Sequence, residues 1–310
     1  MSMNQSVLIC DQVNPVLNEI LEKNGLQITY EPEITPEQIL EKIENFEVII
    51  VRSRTKITKD MIEKANKCQI IARVGVGLDN IDQAAAKEKN IRVINAVEGA
   101  MNAVAELVIG LMLSLAREIP RADREVRNGN WIKKELMGTE LRGKYLGIVG
   151  LGNIGKRLGR LARALNMNII GYDVVPIDEE FSSEVGLMKA DLGTLLASSD
   201  YVSLHVPLLD STKHLINAEK MSTMKNTSRI INTSRGGVID EDALYEFLKD
   251  GKLGGAALDV FEVEPATSNK LASLPNFIST PHMGAQTKEA QSLAANVIAE
   301  KIIQILRGVT

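Results

Sequence analysis

Short apolar runs alternate with longer amphipathic stretches along almost all of the 310 residues, and this alternation restricts the fold more than any other feature. Residues 7–9, 28–30, 48–51, 70–74 and 91–94 have the length and β-branching of strands, and residues 14–23, 35–45 and 59–65 between them have helical spacing. Strands this uniformly apolar need cover on both faces, so the pattern predicts a parallel sheet between helical layers. A second series, at residues 145–149, 168–172, 201–206, 229–233, 256–260 and 277–280, follows a charged connection over 117–144. The chain is longer than one core usually serves. The expectation is an α/β protein of two doubly wound parallel-sheet domains.

Composition narrows the partners. A formal net charge of -4 argues against a general binder of nucleic acid or anionic membrane and leaves a small molecule as the expected ligand. The two cysteines, Cys10 and Cys68, form no metal-binding or C-x-x-C spacing, which fits a reducing, cytoplasmic setting. Residues 1–5 carry no signal-peptide pattern. Residues 103–116 are short for a membrane span and contain Glu106, yet they are apolar around the helix: Leu107, Leu111 and Leu115 on one face, Ile109, Met112 and Leu113 on the other. Such a helix is expected to be covered on all sides, by both domains or by a second subunit. Arginines 117, 121, 124 and 127, interleaved with Glu118, Asp123 and Glu125, predict a solvated helix face.

The segment "LGIVGLGNIGKRLGRLARALNMNIIGYD" carries the clearest chemistry. A strand enters Gly150-Leu151-Gly152-Asn153-Ile154-Gly155, a helix follows, and a second strand ends in Asp173. Gly150 suits a tight turn, Gly152 close approach of a pyrophosphate and Gly155 close helix packing, while the helix N-terminus favours phosphate. Asp173 is placed to accept ribose hydroxyls and to repel a 2′-phosphate, which selects NAD over NADP.

A nicotinamide enzyme acting on an alcohol needs a base and a group that orients the substrate. His205 and His282 both fall at strand ends, where open sheets bind ligands, and composition does not choose between them; His214 lies beyond a turn and reads as a surface or capping residue. The same logic marks Ser234-Arg235-Gly236-Gly237, Asp259 and Glu264. In "VRSRTK", Arg52 and Arg54 close an apolar strand, either as a solvated end or as forks for an anion.

These residues, in this order, resemble the NAD-dependent D-2-hydroxyacid dehydrogenases over nearly the whole chain, through "GLGNIG" with Asp173, "HVPLLDSTKHLIN", "INTSRGGVIDEDAL", "GAALDVFEVEP" and "TPHMGAQTKEAQ". Further blocks, "VRSRTKIT", "RVGVGLDNID" and "GNWIKKELMGTELRGK", look most like the branch that oxidises 3-phospho-D-glycerate on the way to serine. The resemblance implies a Rossmann NAD-binding domain at 99–284 and a flavodoxin-like substrate domain built from both chain ends, 1–98 and 285–310. It places the catalytic trio on Arg235, Glu264 and His282, with His282 as acid/base and His205 in the cofactor pocket. Glu264 would fix the His282 tautomer, and Arg235 would clamp the substrate carboxylate and polarise its C2 oxygen. Val76, Val206, Pro207, Thr233, Ser234, Asp259, Gly284 and Ala285 would join Gly150, Gly152, Asn153, Ile154, Gly155 and Asp173 around NAD. The backbone at Gly75, Val76 and Gly77 would hold the substrate carboxylate. Arg52, Ser53 and Arg54 would meet the phosphate, with Lys133 or Lys134 added from the partner in a homodimer.

Two departures accompany the resemblance: Ala100-Met101-Asn102 stand where many relatives carry small hydroxyl residues, and the chain stops after its last dehydrogenase helix, so feedback by serine through an appended domain is not expected. A glyoxylate or hydroxypyruvate reductase would use the same trio without a phosphate pocket. An NAD-sensing corepressor would keep the trio without turnover.

Overall fold

A computed structural model describes residues 4–308. The chain forms two compact units, Met1–Met101 with Ala285–Thr310, and Asn102–Gly284. In the first run, β1 (Ser6–Ile9), α1 (Val16–Lys23), β2 (Gln27–Tyr30), α2 (Pro36–Lys42), β3 (Val48–Val51), α3 (Lys59–Lys64), β4 (Ile70–Arg73), α4 (Gln83–Glu88) and β5 (Arg92–Asn95) alternate. The chain crosses between units within α5 (Val97–Arg117) and continues through α6 (Ile119–Arg127), β6 (Tyr145–Val149), α7 (Asn153–Ala164), β7 (Asn168–Tyr172), α8 (Glu179–Val185), β8 (Met188–Lys189) and α9 (Leu192–Ser198). Then come β9 (Tyr201–Leu204), α10 (Ala218–Ser222), β10 (Arg229–Asn232), α11 (Glu241–Lys249), β11 (Gly255–Leu258), β12 (Phe277–Ser279) and, back in the first unit, α12 (Lys288–Leu306).

In the first unit, all strand pairs are parallel in the order β2-β1-β3-β4-β5. Val48 and Ile50 pack into a layer with Leu17 and Leu21 of α1 and Ile298 and Ile302 of α12; Ile49 and Val51 pack oppositely with Ile39, Met61 and Ile62. Successive β3 side chains thus feed two cores, which is why the strand is apolar throughout. Local chemistry starts the helices: Thr35 and Gln38 form a capping box on α2, whose first residue is Pro36, and Asp82 caps α4. The strand order is the flavodoxin-like one, with its reversal between β1 and β3. Free thiols Cys10 and Cys68 are buried here, and desolvation pushes each up to about 12, so neither is a nucleophile near neutral pH.

The second unit orders its strands β12-β11-β10-β9-β6-β7-β8, again all parallel. This is the Rossmann arrangement extended by one strand, with its reversal between β6 and β9. The two-residue β8 lies outside the strand pattern of the sequence. Helix α5 is long and apolar enough to cross a membrane by length and composition. Its Ala105, Val108, Leu111, Met112 and Leu115 sit in the core beside Leu146 and Ile148 of β6. Leu113 is exposed, so the cover expected all round is incomplete within one chain. On α6, which buries no residue, Arg121 bonds Glu118 and Glu135 and Arg127 bonds Asp123, as a solvated face requires.

Candidate active site

The glycine turn lies at the strand reversal of the second unit, at the carboxyl end of β6 beside that of β9. Gly150 has φ +93°, and a β-carbon there would stand 2.7 Å from the His205 carbonyl oxygen. A β-carbon on Gly155 would reach 2.1 Å from the Gly150 oxygen, so α7 packs on the turn only with glycine. Gly152 caps α7 with open space above it, and Asn153 and Ile154 form the first residues of the helix. The carboxylate of Asp173 accepts from the N–H of Leu151 at 2.6 Å and of Val175 at 3.1 Å, which ties the end of β7 to the glycine turn.

Around this turn, Asn232 shapes the next loop: its Oδ1 accepts from the Ser234 hydroxyl at 2.7 Å and its Nδ2 donates to the Arg235 carbonyl at 2.8 Å. The hydroxyl oxygen of Thr233 is buried without a hydrogen-bond partner in the protein. An orphaned hydroxyl is costly unless a ligand completes it, and this one follows the carboxyl end of β10 on the sheet edge that carries the glycine turn, which fits a dinucleotide. NAD would be held by the α7 N-terminus, Asp173 and this loop. Of the candidate cofactor contacts, Val76 and Ala285 belong to the first unit.

The two strand-end histidines separate by environment. His205 shares a hydrogen bond of 2.8 Å between Nε2 and the buried Ser203 hydroxyl, and desolvation lowers its pKa from 6.5 to about 4. It is neutral at physiological pH with Nε2 engaged. Its folded pKa lies below the unfolded one, so the stabilisation is complete above about pH 6.5 and is lost as pH falls towards 4. Chemical denaturation at pH 7 and pH 4 should show His205→Gln losing on the order of 3 kcal/mol less than the parent over that interval.

His282 is different: its side chain is 49% exposed and its Nδ1 lies 2.9 Å from Glu264 Oε2. The carboxylate accepts a hydrogen bond from Nδ1–H, which fixes the tautomer and leaves Nε2 without the proton. Glu264 Oε1 accepts from the Phe261 N–H at 3.1 Å, fixing the carboxylate. His282 has φ +51°, a left-handed conformation that its loop enforces. Buried Asp259 does this by accepting from the Thr280 hydroxyl at 2.6 Å and from the N–H groups of Met283 at 2.8 Å and Gly284 at 2.9 Å. Asp259, expected beside the nicotinamide, is thus seen to organise the histidine loop. Arg235 sits half-buried on the Asn232 loop and donates to the Ser234 carbonyl at 2.6 Å. The backbone at Gly236 lies against the chain at Phe261, where a β-carbon would be 1.8 Å from the carbonyl oxygen, and this contact joins the arginine and glutamate loops. His214 pairs with Glu262 at 3.1 Å instead.

In the first unit, Arg52 and Gly75 line one cavity with Asn14, Val74, Ala285 and Gln291. The carbonyls of Gly75, Val76 and Gly77 are held by the Ala96 N–H, the Asn95 amide and Arg73. Planar trans peptides then turn the N–H groups of Val76, Gly77 and Leu78 away from these contacts. Ser53 and Arg54 are exposed, but the Arg54 guanidinium donates to Asp11 and to three carbonyls. Lys134 is exposed on a short helical turn over Lys133–Glu135. Asp11, Asn95, Asn232 and Arg73 carry no sequence signal of their own, because each works through a partner set only by the fold.

Residues 109–284 match the family model described as D-isomer specific 2-hydroxyacid dehydrogenase, NAD binding domain. The chain belongs to this family. Among curated dehydrogenase relatives, D-3-phosphoglycerate dehydrogenase of Methanocaldococcus jannaschii is 47% identical over 97% of this chain and 57% of its own length. This chain therefore spans little more than half of that relative. Hydroxypyruvate reductase of Thermotoga maritima is 46% identical over 93% of both chains. Among solved dehydrogenase structures, a glyoxylate reductase from Paecilomyes thermophila superposes with a TM-score of 0.90 at 30% identity, covering 98% of this chain and 95% of its own.

Proposed function

We propose that this dehydrogenase oxidises 3-phospho-D-glycerate to 3-phosphohydroxypyruvate, with NAD as acceptor, as the opening step of a phosphorylated route to serine. The observation that carries the reaction type is the Glu264–His282 pair, built on the same unit as the dinucleotide turn. His282 Nε2 takes the proton of the substrate hydroxyl, and Glu264 stabilises the imidazolium so formed. Arg235 holds the carboxylate and polarises the C2 oxygen, and the amides after Gly75 add neutral donors. NAD, when bound, would supply the acceptor for the hydride that leaves C2. Arg52, lining the first-unit cavity, is assigned to the phosphate.

The 46% identity to a hydroxypyruvate reductase over nearly the full length of both chains supports a second reading, a reductase of unphosphorylated acids. Reduction of NAD by 3-phospho-D-glycerate and by D-glycerate, run side by side at alkaline pH with a ketone trap, separates the two. A strong preference for the phosphorylated acid is expected; turnover of D-glycerate alone favours the reductase.

We further propose a homodimer. Trp131 and Met137 are 81% and 87% exposed, and Ile119, Val126 and Leu113 extend the same stretch of exposed apolar residues. Sedimentation at micromolar concentration should give twice the 33.9 kDa chain mass, and Lys134 then enters the partner's site.

A further inference from the structure

Arg52 and Arg54 follow β3, and Asp11 follows β1; the first-unit sheet reverses its order between these two strands. Ligands of open α/β sheets bind outside the carboxyl ends at such a reversal. Asp11 is 2% exposed, and its carboxylate gathers four donors from the turn. Oδ2 accepts from the N–H groups of Arg52 at 2.5 Å and Thr55 at 3.3 Å. Oδ1 accepts from the Thr55 hydroxyl at 2.7 Å and from Arg54 Nε at 3.0 Å.

Asn80 grips the same turn through its carbonyls: its Nδ2 donates to Arg52 O at 2.7 Å and Thr55 O at 2.6 Å. Both polar backbone groups at each end of the turn are thereby fixed. Arg54 completes the assembly. Beyond its bond to Asp11, its Nη atoms donate to the carbonyls of Cys10 at 2.5 Å, Pro32 at 2.7 Å and Ile34 at 3.2 Å. A guanidinium has five N–H groups, and four of these are committed within the protein. It is also the countercharge of a buried carboxylate, a role that an incoming phosphate would disturb. Arg52 gives one N–H to the Gln12 carbonyl at 3.2 Å and lines the cavity.

We propose that Asp11, Asn80 and Arg54 are positioning residues that clamp the Arg52–Thr55 turn, and that selection for a phosphorylated acid depends on the single guanidinium this clamp aims, Arg52. The inference rests on the proposed reaction with a phosphorylated acid and adds that the two arginines differ in kind.

Double-mutant kinetics test it. KM for 3-phospho-D-glycerate and for D-glycerate is measured in Arg52→Ala, Arg54→Ala, Asn80→Ala and the doubles Arg52→Ala/Arg54→Ala and Arg52→Ala/Asn80→Ala, with KM for NAD and thermal midpoints as checks on folding. Arg52→Ala should raise KM for the phosphorylated acid by about tenfold to a hundredfold, the worth of a charge-assisted bond, and leave D-glycerate nearly unaffected. Arg54→Ala and Asn80→Ala should each reproduce part of that rise and add nothing once Arg52 is gone, because residues acting through one partner are not additive. Asn80→Ser, a milder change, should give the same pattern if Asn80→Ala folds poorly. Multiplying losses in Arg52→Ala/Arg54→Ala would make Arg54 an independent ligand and overturn the clamp. So would an equal rise for both substrates in Asn80→Ala. A parent enzyme with no preference between the two acids would instead overturn the substrate reading beneath it.

Discussion

His282→Ala should lower kcat by about a hundredfold to ten-thousandfold while the KM for NAD stays near its original value. The expectation follows from geometry. Nδ1 of His282 is committed to Glu264, and the ring is half exposed on a loop whose left-handed turn is held by Asp259. Glu264→Gln should give a smaller loss, since the amide can still accept from Nδ1 but no longer balances the imidazolium. Steady-state kinetics with both substrates varied checks this. Retained turnover in His282→Ala would move the proton transfer elsewhere. His205 is poorly suited to take it over, because a base titrating near 4 is too weak to assist removal of an alcohol proton.

The second large effect is expected at Arg235. Arg235→Lys keeps the charge but replaces a planar fork by a point charge, and at a bidentate site that is not conservative. The rate at saturating substrate should fall about a hundredfold to a thousandfold, the range seen when a donor to a developing charge is removed. KM for the acid should rise as well, with the KM for NAD little changed. Such a split separates Arg235 from a residue that only supports the cofactor loop, whose loss would weaken NAD as well. Arg235→Ala should exceed the lysine variant in both respects.

Much of this was legible in the sequence where a backbone demand dictates the residue. Gly150 and Gly155 are required by a positive φ and a close helix contact, so their spacing announces the turn in the sequence itself. The double-sided cover of β3 is likewise written in Val48-Ile49-Ile50-Val51. What the sequence withheld are roles that depend on distant pairing. His205 and His282 both end strands, and only the resemblance, and then the 2.9 Å contact to Glu264, tell them apart. Arg54 looks like a twin of Arg52 until Asp11, 43 residues earlier, is found bonded to it. Asp259 reads as a cofactor residue from the resemblance, and its hold on the His282 loop shows only once Met283 and Gly284 are seen to donate to it. The two-residue β8 is too short to leave any periodicity.

The most direct test of the account follows the atom that moves. 3-Phospho-D-glycerate carrying deuterium at C2 is incubated with the protein and NAD, and the reduced nicotinamide is examined by mass spectrometry. One deuterium is expected on the nicotinamide from the D-isomer, and no reaction is expected with the L-isomer. Reduced cofactor without the label, or none at all alongside normal NAD binding, would contradict it.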